Sequence, residues 1–258
     1  MKGIIYITVK QLLGERLHRS LFFMALFALL GVPVVTQLSM FNIDKALLLY
    51  SMNVITFMGV LFAIFSVYIL MSRDIGEKRI YYVLSMPVSR SVYLTGRFIG
   101  VALVGMLLLM FLVLLFSPFV LLYTGGKLRS LPLLFVHGFF VYLEMLMLFS
   151  IALIFLTLLD SPTVFVFFVT GIYAAGSNMR DAREFIMQSY SKVPSFSKWI
   201  LDIFYYVFPN FSAFDWKMAL VYSRMEIKTV VLLLFYSIVY AFVCLNISFV
   251  LFNQRELT

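Results

Sequence analysis

Few side chains in this sequence could do chemistry, and Glu144 is the sharpest of them. It stands in a long apolar run, 131–159, that also carries His137 and Ser150. A carboxylate near the middle of a membrane span costs about 3 kcal/mol or more unless it is paired, protonated or facing water. Two uses are open to it. It contacts a substrate or carries a proton, or it braces helices by a hydrogen bond to Asn53, Tyr142 or a hydroxyl. Enzyme constellations are missing from the sequence. There is no GxxxxGK[ST] loop to cradle phosphates, so nucleotide hydrolysis is not expected of this chain. His18 and His137 are the only histidines and no HExxH occurs, so no metal is expected. No GxSxG marks Ser150 as a nucleophile. We expect no catalytic residue, no cofactor bound by the chain and no enzymatic activity.

The elements that position these residues are apolar. The 258 residues are 63% hydrophobic and 12% charged, with 29 Phe, against about 45–50% apolar and about 25% charged in soluble domains. The mean hydropathy is +1.03. This is an all-α membrane protein, a single transmembrane domain over 1–258. A net charge of +8 is read as a positive-inside bias with contact to anionic lipid, not as nucleic-acid binding. Cys244, the one cysteine, lies in the last apolar run and can form no intrachain disulfide. No cleavable signal peptide is expected, because the first apolar run starts only near Ser20 and lacks a cleavage site.

A span needs about 20 apolar residues. Six runs qualify as transmembrane helices: 20–42 with a bend at Pro33, 46–72 with Asn53 as a polar insert, 98–123, 131–159, a short 163–177, and 230–253. Residues 1–19 are too charged to span. Ile5, Val9, Leu12, Leu13 and Leu17 fall on one helical face and Gln11, Glu15 and His18 opposite, which predicts an interfacial helix with that polar face outward. With the N-terminus inside, ten Lys and Arg (Lys2, Lys10, Arg16, Arg19, Arg73, Lys78, Arg79, Arg90, Arg97, Arg255) lie on the inner side, against Lys45, Lys127 and Arg129 in the short outer loops. Both termini are therefore expected in the cytoplasm. The long connection 178–229 holds the remaining seven basic residues, yet its middle, 197–208, is apolar with Trp and Tyr. That predicts a helical extracellular insert lying in or dipping into the outer interface. Gly171 to Gly176 in the fifth run carries small residues at a spacing that lets helices approach closely, within the subunit or at a dimer seam.

Seven of the 32 charged residues crowd into 72–100. Asp74 followed by Glu77 resembles a capping box. Ile80, Val83 and Leu84 make a short apolar face beside Tyr81 and Tyr82, and Pro87 stops that helix. Ser89 or Ser91 can cap a second helix running into the third span. A helix–break–helix elbow is expected.

The segment Leu84-Ser85-Met86-Pro87-Val88-Ser89-Arg90, then Tyr93-Leu94 and Gly96-Arg97, resembles the "L-S-x-P-V-S-R…x-L…G-K" segment of type-2 ATP-binding-cassette (ABC) transporter permeases, which are exporter-like membrane subunits. Tyr206-Val207-Phe208-Pro209-Asn210-Phe211-Ser212-Ala213-Phe214-Asp215 is similar to that family's "hydrophobic-P-N-hydrophobic-S…F-D" stretch. Phe252-Asn253-Gln254-Arg255-Glu256-Leu257 is similar to its terminal "F-x-x-R-D-L". The three matches fall in order along the chain. One departure is Lys78-Arg79, where the family carries Gly-Thr. The resemblance implies a multi-pass permease of the cell (cytoplasmic) membrane, acting as a homo- or heterodimer on a separate ATPase (nucleotide-binding) subunit that holds ATP and Mg. The ATPase-coupling surface would be Asp74, Glu77, Tyr81, Tyr82, Met86, Pro87, Val88, Ser89 and Arg90, together with the N-terminal helix. The path would run along the first, second and fifth spans, which points to Asn53 and to the aromatic face from Phe165 to Tyr173, with Glu144 as a further intramembrane polar residue. Rival readings are a proton-coupled secondary transporter using Glu144, or a non-transporting membrane scaffold or assembly factor.

Overall fold

The computed structural model describes residues 1–39, 42–76, 89–124, 130–159, 161–188, 205, 207–222 and 227–254. Among the described residues there are helices and turns and no strand. The helices are α1 (Lys2–Gly14), α2 (Arg16–Ala28), α3 (Gly31–Leu38), α4 (Ile43–Gly76), α5 (Arg90–Tyr123), α6 (Ser130–Leu158), α7 (Pro162–Ser177), α8 (Met179–Gln188), α9 (Lys217–Tyr222) and α10 (Ile227–Gln254), with a 3-10 turn at Phe211–Phe214. Helix is the element that satisfies every backbone amide within one segment, which a lipid environment demands.

Among the described residues five segments are long and apolar enough to cross a membrane: His18–Leu38, Ile43–Leu70, Arg90–Tyr123, Ser130–Leu158 and Ile227–Gln254. The expected fifth span does not qualify alone. α7 has 16 residues, about 24 Å at 1.5 Å per residue, against about 30 Å of hydrocarbon. It passes only together with Met179–Phe185, from which it is bent by 47°. α6 is the centre of the bundle. It packs against α4, α5 and α10 and buries Phe140, Met145, Met147 and Phe149 almost completely. Its exposed side, with Phe135 and Phe139, is apolar too, which is why the sequence shows no amphipathic stripe there.

The N-terminal segment departs from the expected single surface helix. α1 ends at Gly14, and Glu15 takes an extended conformation (φ −74°, ψ 141°) before α2 begins. The side expected to be polar and outward is turned inward. His18 is buried against α4, where its Nε2 donates to Ser66 Oγ (2.9 Å). That assignment follows because the Ser66 hydroxyl already donates to Phe62 O (2.6 Å). Gln11 is half-buried against Arg97 of α5, while Leu13 is exposed. The physical reason is α5, which offers α1 both a polar partner and two flat places. A methyl group on Gly96 would stand 2.8 Å from the Ile4 side chain, and one on Gly100 would stand 2.6 Å from Thr8.

The first span breaks at Leu29–Leu30, ahead of Pro33 rather than at it. Proline has no N–H, and its ring crowds the carbonyl four residues back, which is Leu29. Val32 N–H bonds Leu29 O in the tighter 3-10 manner, which leaves Ala28 O free to accept from the Tyr50 hydroxyl (2.6 Å). Tyr50 fits because Gly31 has no side chain; a methyl there would overlap the Tyr50 hydroxyl.

Candidate functional site

Two polar clusters tie the helices together. The first gathers α1, the start of α5, the end of α6 and the end of α10 around Tyr93, Leu94, Leu153 and Phe252. Ser89 caps α5, its Oγ accepting from Val92 N–H (3.4 Å). Arg90 follows at the helix N-terminus, where a cation is unfavourable. Its guanidinium instead reaches the last turn of α10, donating to Phe252 O (2.7 Å) and Asn253 O (3.3 Å). Carbonyls there have no partner within their own helix, and the helix dipole favours a positive charge. The Tyr93 ring stacks on Phe252 at 6.2 Å. One turn on, Arg97 is buried and donates to Gln11 Oε1 (3.0 Å), Thr8 Oγ1 (3.2 Å) and the Tyr93 hydroxyl (3.3 Å). Two arginines of α5 thus grip the first and last helices.

The second cluster lies along the middle and first half of α6. Here residues 209–222 form a wedge among α4, α6, α7 and α10. Phe211, Phe214 and Leu220 are its buried anchors. Pro209 leads in, and Asn210 Oδ1 accepts from Ser212 Oγ (2.6 Å) and Ala213 N–H (3.2 Å), which folds the 3-10 turn. Tyr236 of α10 accepts the Asn210 N–H (3.1 Å). Arg180 of α8 donates its own N–H to Ser212 Oγ (3.1 Å) and its guanidinium to Ser212 O (2.9 Å). The wedge backbone passes directly over Gly176, where a methyl group would run into Pro209 O and stand 2.6 Å from the Phe211 ring.

Beneath the wedge, Glu144 is 6% exposed and lies near the Tyr173 hydroxyl of α7, close enough for the two groups to act on each other. Tyr173 packs on the wedge as well, 5.3 Å from the Phe211 ring. Lys217 donates to Asn53 Oδ1 of α4 (2.9 Å) and pairs with Asp215 (3.5 Å). The charges of Lys217 and Asp215 lie close enough to act on both Glu144 and His137. His137, seven residues before Glu144 on the same face of α6, donates from Nε2 to Met52 O (2.9 Å) and shares the Thr56 hydroxyl (3.1 Å). The cluster therefore joins α4, α6, α7 and the wedge through groups that would each be costly to leave unpaired.

The expected site residues fall in three groups. Glu144 and Tyr173 are brought together: of the partners open to Glu144 the structure supplies a hydroxyl, while Asn53 turns to Lys217. Phe165 is fully buried in the core. The exposed side of α7 carries Phe167, Thr170, Gly171 and Ala174 instead. With Tyr68, Thr163 and Val166 these line a cleft of about 650 Å3 between α4 and α7. Within the subunit, among the described residues, Gly171 packs against no other helix, since a methyl there would meet nothing within 4 Å; the close approach uses Gly176 and the wedge. Ser89 and Arg90 sit at the start of α5. Asp74 lies in the last turn of α4 with its side chain outside the described residues. Glu77, Tyr81, Tyr82, Met86, Pro87 and Val88 lie outside them too, as does most of the expected helix over 197–208.

Sequence reasoning missed Lys217, Arg180, Tyr236 and Thr56. The available signal was Pro209-Asn210 closely followed by Trp216, a turn beside an interfacial aromatic. Among the described residues no group of three or more His, Cys, Asp or Glu could hold a metal. No family model matches the chain, and no curated protein matches it either.

Proposed function

We propose that the chain is the membrane-spanning permease subunit of an ABC exporter, coupled as a dimer to a separate ATPase subunit. One observation carries the reading. The capped start of α5, directly after the segment that resembles the family's coupling elbow, packs in one cluster with α1 and the end of α10. A push on the elbow would then reach three helices at once, because Arg90 and Arg97 tie them together. In this reading both termini and the elbow face the cytoplasm, and the wedge lies on the outer side. The cleft between α4 and α7 lines the path, with the hydroxyls of Tyr68, Thr163 and Thr170 set in a mainly apolar wall. The closeness of Glu144 to Tyr173 supports Glu144 as a brace between α6 and α7 rather than the proton carrier of a secondary transporter.

The test is reconstitution with the ATPase subunit, identified as a phosphate-loop protein encoded beside this chain. A stable complex of two permeases with two ATPases is expected, with ATP hydrolysis that responds to the membrane subunit. Pro87→Ala should keep the complex and lose most of that response. Transport driven by a proton gradient in vesicles holding the chain alone would overturn the proposal.

A further inference from the structure

Beside the wedge, α10 leaves an apolar groove of about 430 Å3. Leu232, Phe235 and Val239 form one wall and Ala213 of the wedge the other, with Tyr205 and Tyr236 between them. The α10 wall is open sideways: Leu232 is 57% exposed and Phe235 66%. Arg183 of α8 stacks on the Tyr205 ring that helps line the groove, its guanidinium 4.3 Å from the ring centre. Stacking on a ring uses the flat face of a guanidinium and leaves its N–H donors unengaged by the ring. Arg183 forms no ion pair among the described residues, and its buried Nε has no hydrogen-bond partner among them. Asp181 and Glu184 of the same helix are exposed, and Arg180 is already committed to Ser212. Trp216, bonded to Ala213 of the groove wall, is a residue type that settles at headgroup depth.

We propose that this groove binds an anionic phospholipid, with an acyl chain between α10 and the wedge and the headgroup phosphate on Arg183. An apolar slot beside a membrane helix accepts any acyl chain. A cation fixed on a ring of its lining, with N–H donors unengaged by that ring, selects a phosphate that has no compensating ammonium. The site stands independently of what the protein moves. Its effect is to clamp the wedge against α10, because the lipid touches both.

Trp216 reports on the groove directly, since its indole N–H donates to the carbonyl of Ala213 in the groove wall (2.7 Å). The other tryptophan of the chain is Trp199, so the full-length protein with Trp199→Phe carries one probe. In phosphatidylcholine vesicles, phosphatidylglycerol with brominated acyl chains should quench Trp216 with about fivefold greater affinity than brominated phosphatidylcholine. Arg183→Gln should abolish that preference at unchanged thermal stability, Arg183→Lys should retain most of it, and Ala213→Phe should reduce quenching by both lipids. Equal quenching by the two lipids in the parent protein would show an ordinary boundary lipid and overturn the proposal. A preference that survives Arg183→Gln would overturn it too, as would absence of quenching by either lipid, the result expected if a second copy of the chain covered the groove.

Discussion

The two polar clusters solve the same problem by different means. Around Tyr93 the helices are joined by long cations: Arg90 and Arg97 span the gaps and meet backbone carbonyls, an amide and hydroxyls. Around Glu144 there are cations too, Arg180 and Lys217, but the helices are also joined by direct contact, as a folded wedge presses its backbone onto Gly176. Long side chains tolerate small relative movements of the helices they join, whereas a backbone laid on a glycine does not. The first arrangement suits a joint that transmits motion and the second suits a fixed support.

That contrast can be broken at its stiffest point first. Gly176→Val should be the most damaging single change, destabilising by about 3 kcal/mol or more, because the obstructing atom is a backbone oxygen that cannot rotate away. Gly171→Val on the same helix should be nearly silent, as its side chain would enter open space. Thermal unfolding of both variants in detergent tests the pair, and equal losses would remove the wedge contact as the cause.

Next comes the brace. Glu144→Ala removes the carboxyl beside the Tyr173 hydroxyl in an apolar seam and should cost about 1–2 kcal/mol. Glu144→Gln keeps an acceptor and should cost less. A double-mutant cycle with Tyr173→Phe should then show coupling for Glu144→Ala, and additive losses would mean the two side chains act separately. The smallest effect is expected at the joint. Arg90→Ala removes the cation from the last turn of α10 and should cost about 1 kcal/mol. The variant should still fold but exchange the amides of that turn faster, which hydrogen exchange would read. Unchanged exchange there would show that α10 ends as firmly without Arg90.

How much of this was legible from residues alone differs between the clusters. Ser89 as one of two possible caps followed from local rules about prolines and caps, whereas Arg90 was pointed to by the family resemblance. That Arg90 would meet Phe252 and Asn253, 162 and 163 positions away, could not follow from any local rule. Glu144 announced itself because a carboxylate in an apolar run demands an explanation. Its partner did not, since Tyr173 is one of 15 tyrosines in the chain. Leu12 of the expected apolar face is buried, but Gln11 and His18 of the expected polar face turn inward as well. A helical pattern shows which residues share a face, but not whether that face meets water or a neighbouring helix with a polar group of its own.

By itself the sequence determined that this is a helical membrane protein, where its long apolar segments lie, and which residues are too polar to be placed casually. Those are properties of windows about 20 residues long, for which transfer from water to lipid dominates every other energy. Only the tertiary structure decided that Pro209 to Tyr222 is a wedge rather than a loop. It alone made Gly176 indispensable and left Gly171 free. The reason is that solvation depends on residue type, whereas packing depends on which atoms arrive within 4 Å, and the chain specifies that only when it is folded.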